Sequence, residues 1–270
     1  MSAPHGSSAA APPLECLIFD VDGTLAETER DGHRIAFNRA FADAGMDWHW
    51  DAAYYGRLLA VTGGKERMLH HWSRLDARAA ATPEAAARVA ELHRRKTAHY
   101  VDLVAQGGIT LRAGVVRLLR EARAAGLRLA IATTTTADNV DALLRATLGE
   151  EGAALFDCIG AGDVVPRKKP DPGIYLWVLA RMGLRPEQCL ALEDSNNGSQ
   201  AAQAAGVRTI VTTGAYTHHE TFPGALAVLD GLGEPGQPAR GQQRGQPWSG
   251  VVDLPTLRAW VDPYLEGFGR

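Results

Sequence analysis

The stretch LECLIFDVDGTL, residues 14–25, decides how this chain is read. Its first half is a short apolar run with β-branched and aromatic side chains, the pattern of a strand buried on both faces of a parallel sheet. The run ends on Asp20, and Asp22 follows two positions later. Ligands in open α/β sheets bind outside the carboxyl ends of the strands, so both carboxylates stand where a site belongs. Two such groups can divide labour: one attacks phosphorus while its neighbour moves protons. Both are hard oxygen donors suited to magnesium. A surface Asp-Gly turn is the bland alternative for a lone DxD. The apolar strand in front of DxDGT makes the chemical reading the more specific one.

Working outward, similar apolar runs recur at 127–132, 156–159, 190–192 and 207–211. Helical patterns separate them, at 115–125 closed by Gly126 and at 137–148 closed by Gly149. This alternation predicts an α/β fold with a doubly wound, Rossmann-like parallel sheet. From Thr28 to Gly108 the periodicity is helical only. Ala36, Phe37, Ala40, Phe41 and Ala44 share one face, and Thr82 before Pro83 reads as an N-cap opening a helix to about Val104. The expected organisation is a disordered tail at 1–13, an α/β core at 14–27 and 109–270, and an inserted α-helical cap at 28–108 between the first two core strands. The Gly-, Pro- and Gln-rich stretch 233–250 is expected to be a flexible insertion, with a last helix at 254–265.

Composition narrows the function classes. A chain of 270 residues makes one large domain or two modest ones at roughly 150 residues each. Apolar residues are 46% and charged residues 22%, an ordinary globular balance. Lys+Arg 28 against Asp+Glu 31 leaves a net charge of -3, so no bulk field attracts nucleic acid or an anionic membrane. No apolar run approaches the ~20 residues of a membrane helix. Cys16, Cys158 and Cys189 lack CxxC spacing, which fits a reducing compartment. The opening MSAPHGSSAAAPP has the pattern of neither a signal nor a transit peptide. A cytoplasmic monomer acting on a small molecule is expected.

The remaining strand ends complete the constellation. The second ends in Thr133, Thr134, Thr135 and Thr136, whose hydroxyls and turn N–H groups suit a phosphate. RKKPDP at 167–172 presents a lysine on a proline-stiffened loop, where an ammonium can offset phosphoryl charge; on spacing alone Lys168 and Lys169 are both open. The fourth strand ends in Glu193 and Asp194, two more carboxylates for a metal.

In the helical stretch, Glu29 and His33 lie one turn apart and can meet a sugar hydroxyl, though His33 reads equally as a helix-surface histidine. Thr62-Gly63-Gly64-Lys65-Glu66-Arg67 opens a helix with free N–H groups and two cations, suited to a second, non-reacting phosphate and lacking the pattern of a Walker A loop. Trp48, Trp50, Tyr54 and Tyr55 read as core of the helical part. Lys96 shares an apolar face with Leu92 and is expected to snorkel. The pairs His70-His71 and His218-His219 are expected at the surface.

The set DVDGT at 20–24, a strand ending in Thr133, Lys169 before a proline, and LEDS at 192–195 resembles the four motifs of the haloacid dehalogenase superfamily. DVDGTLAETE, TGGKER, ATTTT, KKPDP with a following IY, and ALEDSNNG carry a closer resemblance to the CbbY-type sugar-phosphate phosphatases, over about 14–222. The resemblance implies Asp20 as nucleophile, Asp22 as general acid/base, and Thr133 and Lys169 as holders of the phosphoryl group. It implies Mg2+ held by Asp20, the Asp22 carbonyl and Asp194 with Glu193 in support. Glu29 is implied as a substrate contact, and Gly63, Gly64, Lys65 and Arg67 as the second phosphate site. The implied reaction converts xylulose 1,5-bisphosphate, a Rubisco inhibitor, to xylulose 5-phosphate in the bacterial cytoplasm. A mutase resembling β-phosphoglucomutase shares the same motifs, and a non-catalytic phosphosugar sensor is the remaining alternative.

Overall fold

The structure, a computed structural model, describes residues 12–261. Most of the expected tail (1–11) and the end of the expected last helix (262–265) lie outside the described residues. Strand β1 (Cys16–Phe19) is buried along its whole length and pairs in parallel with β2 (Arg128–Ala132) on one side and β4 (Cys189–Glu193) on the other. Beyond them lie β3 (Cys158–Gly160), β5 (Arg208–Thr212) and β6 (Ala227–Leu229), all parallel. The order β3-β2-β1-β4-β5-β6 reverses direction at β1, which places a crevice at the carboxyl end of that strand.

Successive side chains of a strand point to opposite faces, and β1 feeds two separate cores. Leu17 and Phe19 pack with Leu118 and Leu119 of α6 (Val115–Ala124), Leu143 of α7 (Ala137–Leu148) and Leu257 of α10 (Leu254–Val261). Cys16 and Ile18 pack with Val178 of α8 (Gly173–Met182) and Ala201 of α9 (Asn196–Ala204). The result is a three-layer α/β sandwich, as the strand and helix alternation predicts.

Between β1 and β2 the described chain contains helices and no strand. A π-helical turn (Glu29–His33) runs into α1 (Arg34–Asp43), followed by α2 (Ala52–Leu58), α3 (Gly64–Leu75), the short α4 (Ala77–Ala80) and α5 (Pro83–Ala105). The Thr82 hydroxyl accepts from the Ala85 N–H at 3.1 Å, so the expected cap of α5 forms. Phe37, Phe41, Trp50, Tyr55, Met68 and Leu92 make this insertion's own core, with Trp48 and Tyr54 against it. The entering and leaving connections run side by side through the Ala26–Leu111 bridge, and Arg112 N–H donates to the Leu25 carbonyl at 2.8 Å. Among the described residues no helix is long and apolar enough to cross a membrane.

The stretch 233–250 corrects the expectation of a flexible insertion. It forms the hairpin β7 (Ala239–Gln243) and β8 (Gln246–Gly250), which extends the sheet antiparallel to β6. The two residues between the strands, Arg244 (φ 49°) and Gly245 (φ 76°), both take positive φ, the geometry of a tight primed hairpin turn. Trp248 packs edge-on against Trp260 at 5.1 Å and fixes the hairpin to α10. The Gly and Gln content is therefore turn and edge-strand chemistry.

Gly241 lies where a Cβ would come within 2.1 Å of the Val228 carbonyl oxygen across the β6–β7 pair. Gly241→Ala is expected to lower Tm by about 4 °C or more, on a scale of roughly 2–4 °C per kcal/mol for a chain of this size. An unchanged Tm in a thermal melt would show that the hairpin does not belong to the folded sheet.

Candidate active site

The crevice holds the residues the strand ends supply. Asp20 follows β1 and is fixed by its own N–H donating to the Leu192 carbonyl at 3.0 Å. Lys169 Nζ donates to Asp20 Oδ1 at 2.7 Å and to Glu193 Oε1 at 2.5 Å, and the Tyr175 hydroxyl donates to the same Glu193 oxygen at 2.5 Å. One oxygen from each of Asp20, Glu193 and Asp194 falls within 4.8 Å of the others. Gly23 (φ +85°) lets the loop close over them, since a Cβ there would lie 2.2 Å from Asp194 Oδ2.

Three buried carboxylates around one ammonium distort one another's titration. Burial pushes the Asp20 carboxyl up to about 7 against the pull of Lys169, and the charges of Glu193 and Asp22 add to the rise. Burial, with Asp20 and Glu193 beside it, holds Asp194 well above the usual carboxylate range. Burial alone would lower Lys169, but its two carboxylate partners raise it above its ordinary value. Lys168 points elsewhere, to the Gly162 carbonyl at 2.8 Å and to Asp163 at 2.7 Å, so geometry selects Lys169.

Asp22 faces the helical insertion. Its Oδ1 accepts from the Thr28 hydroxyl at 2.5 Å and lies 2.8 Å from His33 Nε2, while Lys96 Nζ lies 2.7 Å from His33 Nδ1. An ammonium can only donate, so with Lys96 charged Nδ1 is the acceptor and Nε2–H donates to Asp22. Burial would raise Asp22, but His33, Thr28 and Lys96 hold it down to about 2. Lys96 does not snorkel. It is 3% exposed because His33 and the rings of Phe37 and Tyr100, 5.1 and 5.2 Å away, receive its charge inside the protein.

Glu29 accepts from the Tyr55 hydroxyl, to which Arg67 also donates at 2.9 Å. Arg67, Glu29 and Lys96 line a small cavity with Gly63, Gly64, Thr134 and Thr135, next to the larger one that holds Asp20, Lys169 and Asp194. Lys65 is directed away from this cavity, pairing with Asp163 at 2.5 Å. Thr133 is buried, its N–H donating to the Gly160 carbonyl at 2.9 Å and its hydroxyl accepting from Thr135 N–H at 3.3 Å. His71, expected at the surface, is buried against Trp48 and Trp50 and bonded to the Tyr54 hydroxyl at 2.8 Å; His70, His218 and His219 are exposed.

Sequence reasoning misses Arg112. Its guanidinium donates to the carbonyls of Gly23, Thr212 (2.9 Å), Thr213 (2.8 Å) and Asp230 (3.0 Å), tying the Asp20–Gly23 loop to the ends of β5 and β6. No motif marks such a residue, because its partners are backbone groups far away in sequence.

Residues 14–206 match the haloacid dehalogenase-like hydrolase family. The chain is 49% identical over 249 residues to "Protein CbbY, plasmid" of Cupriavidus necator, covering 92% of this chain and 96% of that protein. The crystal structure of CbbY from Rhodobacter sphaeroides in complex with phosphate is similar at 48% identity and a TM-score of 0.72, covering 81% of this chain and 94% of that one. The same figures hold for a mutant of that protein in complex with xylulose-(1,5)bisphosphate.

Lys96 gives a pH test. Burial lowers it to about 8, below its ordinary 10.5, so between those values the unfolded chain binds more protons and stability rises with pH. The penalty is complete below about 8 and gone above 10.5. The stability of the wild type minus that of Lys96→Met, from urea unfolding at several pH values, is expected to increase across this window. A flat difference would mean that Lys96 does not carry a buried charge.

Proposed function

Because the chain belongs to the haloacid dehalogenase-like hydrolases, we propose that it is a sugar-phosphate phosphatase working through a phosphoaspartate on Asp20, with xylulose 1,5-bisphosphate as substrate and xylulose 5-phosphate as product. The observation that carries the reading is the separation of the two aspartates' surroundings. Asp20 is held by Lys169 in the core, and Asp22 by Thr28, His33 and, through His33, Lys96 of the insertion, which acts as a cap. A nucleophile and a proton carrier need that difference.

In the first step an Asp20 carboxylate oxygen bonds to phosphorus as the bond from phosphorus to the sugar oxygen breaks. Asp22 gives a proton to the departing oxygen. A dianionic phosphate beside Asp22 raises its affinity for that proton, which its resting surroundings disfavour. In the second step Asp22 takes a proton from water as the water oxygen bonds to phosphorus, freeing Asp20 and inorganic phosphate. Lys169 and Thr133 hold the phosphoryl oxygens, supplying the charge and positioning on which phosphoryl transfer depends.

Magnesium fits the donor set. Three buried carboxylates face one ammonium, and no described residue donates a hydrogen bond to the Asp194 carboxylate. Asp20 and Asp194 would hold the ion with the Asp22 carbonyl, while Glu193, engaged by Lys169 and Tyr175, supports from behind. When bound, the ion supplies positive charge opposite the transferring phosphoryl group. A second phosphate suits the small cavity, where Arg67, Lys96 and the start of α3 at Gly63 and Gly64 converge.

Phosphate release with magnesium from xylulose 1,5-bisphosphate and from its ribulose epimer tests the reading. The xylulose compound is expected to be turned over at least ~100-fold faster by kcat/KM, and Asp20→Asn is expected to reduce release by ~1000-fold or more. Equal rates on both epimers would overturn the substrate assignment. Conversion of β-glucose 1-phosphate to glucose 6-phosphate without free phosphate would establish a mutase.

A further inference from the structure

One contact between the core and the cap is built with more care than surface packing requires. Tyr216 lies in the tight turn after β5, where Gly214 N–H donates to the Thr217 hydroxyl at 2.9 Å. The same loop is tied to the catalytic strand ends, because Glu220 accepts from the N–H of Asn196, the first residue of α9, at 2.7 Å. The loop is thus bonded to the chain two residues beyond Asp194, and Tyr216 lines the cavity that contains Asp20, Glu29 and Arg67.

The Tyr216 ring leaves its own domain and packs on the cap's aromatic core. It meets the Tyr55 ring edge-on at 6.1 Å and seats over Gly56. A Cβ at Gly56 would lie 2.8 Å from Tyr216 Cδ1 and 3.0 Å from Cε1. Gly56 is inside α2, where glycine costs ~1 kcal/mol relative to alanine. A helix that carries this penalty at the one point where a core tyrosine enters gives the glycine a spatial reason. Tyr55, the adjacent residue, donates its hydroxyl to Glu29 and receives from Arg67.

We propose that Gly56 and Tyr216 are a socket and plug that position Tyr55, and through it Glu29 and Arg67, when the cap meets the core, and so favour sugar bisphosphates over phosphate esters that need nothing from the cap. This rests on the sugar-phosphate reading above and names the residues that enforce it. Neither residue touches the reacting atoms; both are positioning residues. The plug comes from the core and the socket from the cap, so the arrangement of Glu29 and Arg67 is completed only when the two halves are together.

The test measures kcat and KM for xylulose 1,5-bisphosphate and for p-nitrophenyl phosphate, with Tm, in wild type, Gly56→Ala, Tyr216→Ala and the double variant. Gly56→Ala is expected to raise KM for the bisphosphate by about tenfold, to leave p-nitrophenyl phosphate hydrolysis within about twofold, and to change Tm little, because alanine's preference for the helix offsets the displacement of the Tyr216 ring. Tyr216→Ala is expected to raise KM for the bisphosphate as Gly56→Ala does, and adding Gly56→Ala to it is expected to change nothing further. Bisphosphate kinetics unchanged in Gly56→Ala would overturn the plug, as would a Gly56→Ala effect of the same size without Tyr216. A parallel fall on both substrates would also overturn it, since that is the mark of a structural defect. Wild-type enzyme that releases phosphate from p-nitrophenyl phosphate but not from the bisphosphate would instead overturn the substrate assignment on which the proposal rests.

Discussion

The rest of the site depends on a charge imbalance. Asp20, Glu193 and Asp194 are gathered at the carboxyl ends of β1 and β4 with a single ammonium, Lys169, among them. Burial raises the proton affinity of a carboxylate and like charges beside it add to the rise, and the high values of Asp20 and Asp194 express both. The fold tolerates the arrangement because other parts are shaped around it. The Gly23 loop can approach only without a side chain, and Gly198 is bare because a Cβ there would lie 1.9 Å from Glu193 Oε2. Tyr175 and Lys169 share one Glu193 oxygen and keep that carboxylate on its own side. A protein selected for stability alone would not retain such a cluster.

The second aspartate lives under the opposite regime. Asp22 is two residues from Asp20, yet Thr28 and His33, with Lys96 behind His33, lower it against the burial that raises its neighbour. Lys96 comes from α5 and His33 from the turn that begins the cap, so the state of Asp22 depends on an element that the core alone does not contain. The proton affinity of Asp22 is thereby linked to the placement of the helical insertion. The same element supplies Glu29 and Arg67 to the adjoining cavity.

Much of this was legible in residue order. Parallel strands buried on both faces announce themselves as short apolar runs, and polar residues follow directly at their ends, so the positions of Asp20, Asp22, Thr133 and the Glu193–Asp194 pair can be read off one by one. What stayed hidden depends on distant partners. Lys168 and Lys169 are indistinguishable by spacing, and only Asp20 and Glu193 on other strands select between them. Lys96 looks like a lysine that reaches solvent until His33 and two aromatic rings surround it. Along the chain Lys65, next to the two glycines, is the expected cation for a second phosphate, but the helix turns Lys65 toward Asp163 and Arg67 toward Glu29. At 233–250 composition misled, because glycine at a primed turn and glycine in a linker look alike until the alternation on either side of Arg244-Gly245 is counted.

The most direct measurement of the central claim, that this carboxylate cluster is built to hold a divalent cation, is thermal unfolding of wild type and Asp194→Asn across a magnesium titration. In metal-free buffer Asp194→Asn is expected to melt higher than wild type, because the cost of burying that carboxyl group beside Asp20 and Glu193 is gone. Magnesium is expected to raise the wild-type Tm progressively, as any ligand of the folded state does, and to leave the variant nearly unmoved. A wild-type Tm indifferent to magnesium, or an equal rise in both proteins, would contradict it.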